Sequence, residues 1–225
     1  MRDYEGRELL LIVAFLSVLT FPLLYIARLF DNNTLTSWRW VFSDSNFIAV
    51  NLLIISGIAV SYIASYYLFH ERYSLPLLCL LPFIITIPMW QEPEVIIDAS
   101  RYFLQAKHLE LYGVGSFLKE WGREIFAWTD LPLMPFAYGL IFRYFGESRI
   151  YIQIFNSTLF ALTVLLTYHT GKDLFNRETG IFGGLLLLGM PYLLTQVPLM
   201  LVDVPVMFIF LLAAYTFLKT ASKGG

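Results

Sequence analysis

Four residues able to take part in chemistry recur at helical spacing near the middle of the chain: Asp98, Arg101, Tyr102 and Gln105, at i, i+3, i+4 and i+7. Between them Ile96, Ala99, Phe103 and Ala106 follow an apolar period of their own, so the stretch reads as an amphipathic helix with a small polar face. On that face Asp98 projects toward water or a cavity, where a carboxylate is available for acid–base or cation-handling chemistry. The plainer alternative is a solvated helix face, with Asp98 and Arg101 forming an i, i+3 ion pair that contributes about 0.2–0.5 kcal/mol.

A second carboxylate, Asp203, stands in "LMLVDVPVMF" between two apolar runs. An unpaired charge at the bilayer centre costs about 2.5–3.5 kcal/mol, so something must offset it. Pro205 suits the first turn of a helix and would place Asp203 near its N-cap, which is one explanation. The other is that Asp98 and Asp203 converge on one pocket, where their surroundings separate a general base from a cation- or phosphate-handling group.

The elements that must hold these acids follow from composition. The 225 residues are 58% hydrophobic, 17% aromatic and 14% charged, against about a quarter charged in soluble domains. This is membrane-protein composition. A net charge of −2 gives no basis for a nucleic-acid partner or a polybasic membrane-surface patch. Stretches 8–29, 47–69, 75–90, 150–169, 180–198 and 204–219 are apolar enough to be read as spans. The third carries Pro76, Pro82 and Pro88, and a kink there is tolerated when neighbouring helices satisfy the freed carbonyls. The N-terminal apolar run exceeds the ~7–15 residues of a signal-peptide core and is read as a retained first span.

Arg2, Arg7, Arg72, Lys172, Arg177, Lys219 and Lys223 then share one side, which the positive-inside rule makes cytoplasmic. The opposite side receives 30–46, 91–149 and 199–203. Seven of the 17 acidic residues (Glu92, Glu94, Asp98, Glu110, Glu120, Glu124, Asp130) lie between Gln91 and Asp130 of that outer segment, and Trp90, Trp121 and Trp128 suit headgroup depth. The expected fold is all-α: a polytopic membrane protein with about six transmembrane helices and short interfacial helices in a long outer loop. Its parts are N-terminal spans at 1–90, the outer loop at 91–149 and C-terminal spans at 150–225.

The motifs "DASRYFLQA" (Asp98 to Ala106), Gly113, "TDLPLMPFAYGLIFRYFGES" (Thr129 to Ser148), "YHTGKDLFNRETG" (Tyr168 to Gly180) and "VDVP" (Val202 to Pro205) occur in this order. Together they resemble the N-terminal half of family 39-type glycosyltransferases, polytopic C-superfamily enzymes that include protein O-mannosyltransferases and aminoarabinose transferases. The resemblance implies transfer of a sugar from a polyprenyl-phosphate donor to a protein, lipid or glycan acceptor on the outer face of the cell membrane. It implies Asp98 as catalytic base, Arg101 at the donor phosphate, Asp203 as the acid of the second outer loop, and Tyr102 and Asp130 in support. Ala99 stands where relatives often have a second acid, and Asp130 where they often have His. The spans 8–29 and 47–69 are not part of the usual pattern, which has one span before the first outer loop. The cofactor is left open; a divalent cation, if one binds, would take Asp98 and Asp203.

Other residues have simpler explanations. His70 and His108 lack partners at metal-ligand spacing, and His169 falls at an interface. Gly183, Gly184 and Gly189 suit close helix packing, and Cys79 a buried small apolar site. The triplets Asn32 to Thr34 and Asn156 to Thr158 are formal glycosylation sequons, the second inside an expected span. Two rivals remain: a transporter-like subunit binding protons or cations at Asp98 and Asp203, and a non-catalytic truncated family member. Transport sites gather near the bilayer midplane, whereas these charges cluster in the outer segment.

Overall fold

The computed structural model describes residues 71–91, 96–127 and 131–222, and places positions 16, 19, 23, 26, 52 and 55 singly in helix. Apart from those positions the expected spans 8–29 and 47–69 lie outside the described residues, as do Glu92, Glu94, Trp128, Asp130 and the first sequon. The chain divides into the units Met1–Tyr67 and Leu68–Gly225, and the second carries every candidate site residue.

Helix α1 (Glu71–Thr86) runs into a 3-10 turn (Ile87–Gln91) and is followed by α2 (Ile97–Glu120), α3 (Leu133–Phe145), α4 (Arg149–Leu174), α5 (Arg177–Leu188), α6 (Pro191–Gln196) and α7 (Asp203–Ser222). There is no strand among the described residues. Three helical stretches of these residues are long and apolar enough to cross a membrane: Arg72–Trp90, Arg149–Leu174 and Asp203–Ala221.

The expected span 180–198 is not one continuous helix, so the described residues do not confirm the six-span count. Helix α5 ends at Gly189, whose N–H donates to the Leu185 and Leu186 carbonyls, each at 3.1 Å. Met190 is extended and Pro191 restarts the chain at the first turn of α6. Proline offers no N–H to continue a helix and drives the residue before it out of helical geometry. The 12 residues of α5 rise about 18 Å at ~1.5 Å each, short of a hydrocarbon core of about 30 Å.

Side-chain bonds fix how the long helices run. Gln153 donates to the Trp90 carbonyl at 2.9 Å, and Thr86 meets Ser157 at 3.3 Å, so α1 ends where α4 begins. At the other end of the bundle Arg177 reaches Ser74 at 3.2 Å. Lys219 pairs with Asp173 at 2.7 Å, so the C-terminal ends of α4 and α7 lie together and these two helices run parallel. Helix α5 returns against α4 at backbone contact: a Cβ on Gly180 would stand 2.3 Å from the Tyr168 carbonyl oxygen. Gly184, singled out for packing, faces Leu78 and Val164, each 3.3 Å from where its Cβ would be.

Helices α2 and α3 pack equally closely, a Cβ on Gly139 falling 2.7 Å from that of Leu109. Gly113, with φ 84°, breaks α2 into two helical segments. A left-handed residue is tolerated there because glycine has no Cβ. Arg143 of α3 donates to the Leu109 and Glu110 carbonyls at 3.5 and 3.3 Å, supplying partners near the break.

Candidate functional site

Helix α2 opens at Ile97 after the extended Ile96 and has no side-chain cap. Ala99 and Ala106 of the expected apolar face are buried, but so are Tyr102 and Gln105 of the expected polar face, while Ile96 is exposed and Phe103 half-buried; Asp98 faces outward with its side chain 57% exposed. A carboxylate in the first turn also meets the positive end of the helix dipole. Arg101 pairs with Asp98 at 3.2 Å. Its guanidinium also donates to the Tyr102 hydroxyl at 3.3 Å and lies 5.0 Å from the centre of that ring. The i, i+3 pair and the Tyr102 contact therefore exist together, and Tyr102 holds the cation from the buried side.

Asp203 is the first residue of α7 rather than its cap, since the Val206 N–H closes the first turn on the Val202 carbonyl at 2.8 Å. Its carboxylate accepts from the Tyr192 hydroxyl at 3.2 Å. The negative charge of Asp203, and then this hydrogen bond, raise the Tyr192 phenol above its usual range.

The helix directions put Asp98 and Asp203 at the same end of the bundle: one follows the end of α1, the other begins α7 beside the start of α4. One apolar cluster joins the two neighbourhoods. Ala99, Tyr102 and Ala106 of α2 lie in it with Leu199, Met200 and Leu201, and the partly buried Val202 packs against it. No direct contact links the two acids; Asp98 is paired with Arg101, and Asp203 with Tyr192.

The segment before Asp203 is held by two residues that the sequence reading did not single out as functional. Fully buried Asn156 of α4 donates to the Leu199 carbonyl at 2.6 Å. Fully buried Tyr138 of α3 donates to the Leu201 carbonyl at 2.6 Å and lies 3.2 Å from the Asn156 side-chain oxygen. Buried irregular backbone of this kind needs partners for its carbonyls inside the protein. Asn156 is the asparagine of the second sequon, and its side chain is engaged in this network. A polar residue within an apolar span was the signal available for it.

Residues 130–225 match the family model of dolichyl-phosphate-mannose-protein mannosyltransferases. This is the group that the motifs resemble, and the similarity covers residues 130–225. No curated protein and no solved structure matches the chain. The mannosyltransferase-like part takes in α3 to α7, with Tyr138, Asn156, Tyr192 and Asp203. Asp130 begins it but lies outside the described residues, and Asp98, Arg101 and Tyr102 lie ahead of it.

The described residues of this part and of α2 do not fit a divalent cation. None of them form a group of three or more His, Cys, Asp or Glu side chains able to hold a metal ion. A hard cation bound by protein needs several oxygen ligands, whereas Asp98 faces a guanidinium and Asp203 a phenol.

Proposed function

We propose that the protein is a glycosyltransferase that moves a sugar from a polyprenyl-phosphate donor to a hydroxyl acceptor at the extracytoplasmic face of the cell membrane. The observation that carries this reading is the shared apolar cluster, which ties the start of α2, with Asp98 and Arg101, to the segment leading into Asp203. The family match over residues 130–225 supplies the reaction class.

In the proposed step Asp98 takes the proton of the acceptor hydroxyl. The acceptor oxygen forms a bond to the anomeric carbon, while the bond from that carbon to the phosphate oxygen breaks and its electron pair leaves with polyprenyl phosphate. Arg101 stabilises the departing phosphate, a task suited to a planar, permanently charged fork. Its bond to Asp98 is a partly exposed pair of the kind worth about 0–1 kcal/mol, so the guanidinium can exchange partners at little cost. Tyr102 keeps it at the protein surface during the exchange. Asp203 and Tyr192 supply the second polar group at this end of the bundle, and Asp130 is a supporting acid.

The test is transfer of labelled sugar from polyprenyl-phosphate donors in reconstituted membranes. Asp98→Asn is expected to lower the rate by about 10²–10⁴-fold, the range of a general base. A mutant with the parent rate, or a parent without transfer, defeats the reading.

A further inference from the structure

After Glu120 a turn reverses the chain: the Arg123 and Ile125 N–H groups donate to the Glu120 carbonyl at 2.9 and 3.1 Å. Residues 124–126 thereby return along α2 and enclose a cleft of about 460 Å³, within the range of roughly 300–1,000 Å³ for small-molecule sites. Ser100, Arg101, Gln105 and His108 line it from the helix, and Glu124 and Phe126 from the returning chain.

Gln105 is the informative wall. It is only 4% exposed, yet its Oε1 is buried with no hydrogen-bond partner among the described residues. Its Nε2 donates to the Phe126 carbonyl at 2.9 Å. Exchanging the two ends of the amide would set oxygen against oxygen, so the orientation is fixed by that bond. Ser100 spends its proton on the Ile97 carbonyl at 2.6 Å and offers the cleft only lone pairs. Glu124 adds a carboxylate. The cleft therefore presents acceptors beside the N–H donors of Arg101 and suits ligand groups that both donate and accept. Arg101 disfavours a cationic ligand, while the carboxylate and the two neutral acceptors disfavour an anionic one. Neutral hydroxyl groups satisfy both conditions, and the Phe126 ring offers an apolar surface to the C–H side of a sugar ring.

We propose that this cleft binds a neutral carbohydrate through its hydroxyl groups, beside Arg101 and within a helical turn of Asp98. As an acceptor site it rests on the glycosyltransferase reading; binding itself is measured without any transfer. The experiment uses the full chain in lipid nanodiscs, with Cys79→Ala and Ser100→Cys, and follows alkylation of the introduced thiol. Methyl glycosides of glucose, mannose and galactose are the probes, run beside a polyprenyl-phosphate sugar, inorganic phosphate and a Ser/Thr-containing peptide.

Protection by a methyl glycoside is the expected result and assigns the site to an acceptor-type sugar. Protection by the polyprenyl-phosphate sugar alone supports carbohydrate binding and assigns it to the donor. Gln105→Leu should raise the concentration needed by about tenfold, as loss of one neutral hydrogen bond does. Glu124→Ala is the second variant should the first not fold. Protection must survive Asp98→Asn, which separates failure of binding from failure of the transfer reading. No protection by any sugar, or protection only by phosphate or the peptide, overturns the proposal.

Discussion

Replacing Tyr138 by Phe removes one oxygen from a fully buried residue and leaves its ring, with the edge-on contact to Phe155 at 5.9 Å, in place. The loss falls on the Leu201 carbonyl, which accepts from that hydroxyl at 2.6 Å, and on the Asn156 side chain 3.2 Å away. Leu201 is itself 8% exposed, so water does not readily replace the donor. A buried acceptor left unpaired costs about 1–3 kcal/mol, whereas hydrogen bonds between membrane helices average about 0.6 kcal/mol because the unfolded reference also finds partners. The Leu201 carbonyl has no helical N–H to fall back on, since the residue four positions on is Pro205, so Tyr138→Phe is expected in the upper range, about 1–3 kcal/mol. Asn156→Leu removes one of the two donors to the Leu199 carbonyl, which keeps the Leu201 N–H at 2.9 Å, so it should cost less, about 0.5–1.5 kcal/mol. Because both side chains belong to one network, the double mutant should depart from the sum by about 0.5–3 kcal/mol. The assay is reversible unfolding in mixed micelles followed by circular dichroism. A Tyr138→Phe protein within about 0.5 kcal/mol of the parent, the range of an ordinary surface change, would refute the view that this network holds the segment. So would strict additivity with Asn156→Leu.

The remaining expectations concern packing and charge. Gly180→Ala must move the Tyr168 backbone, 2.3 Å from the new Cβ, and should cost at least about 1–3 kcal/mol as overpacking does. Gly115→Ala, with nothing within 4 Å of its Cβ, should instead stabilise helix α2 by about 0.5–1 kcal/mol in the same unfolding assay. Gly113→Ala forces a Cβ into a residue with φ 84° and within 3.2 Å of Arg143, and a loss of about 1–2 kcal/mol is expected. Asp203→Asn removes the charge that opposes the Tyr192 phenolate, so the phenol's titration must move down toward the ordinary value of about 10. Absorbance titration against Tyr192→Phe reads that shift, and an unmoved or rising titration contradicts the pairing.

What was legible in the sequence had a period or a composition behind it. The period through Ile96, Ala99, Phe103 and Ala106 gave helix α2 and the exposure of Asp98 but put Tyr102 and Gln105 on the wrong face, since both are buried, and long apolar runs gave the helices at 72–90, 149–174 and 203–221. Composition could not separate a span from two helices at 180–198, where Gly189 and Pro191 interrupt the backbone without lowering the hydropathy enough to be noticed. Asn156 and Tyr138 were passed over for a different reason. Their role depends on carbonyls 43 and 63 residues away in the chain, and no local pattern carries that information. The turn that makes Gln105 a cleft wall is likewise a tertiary event.

The polar contacts at this end of the bundle divide into two kinds, and the division bears on mechanism. Tyr138 and Asn156 are buried and hold backbone carbonyls, so they resist rearrangement. Asp98, Arg101, Asp203 and Tyr192 are bound by bonds of 3.2–3.3 Å at partly or fully exposed positions. Exposed pairs of this kind contribute little to stability because water competes for both partners. Substitution at Asp98 should therefore leave unfolding unchanged to within about 0.5 kcal/mol, while substitution at Asn156 should not. If Asp98→Asn instead destabilises the fold as much as Asn156→Leu does, the acid is a structural group, and loss of transfer in that mutant would say nothing about a base.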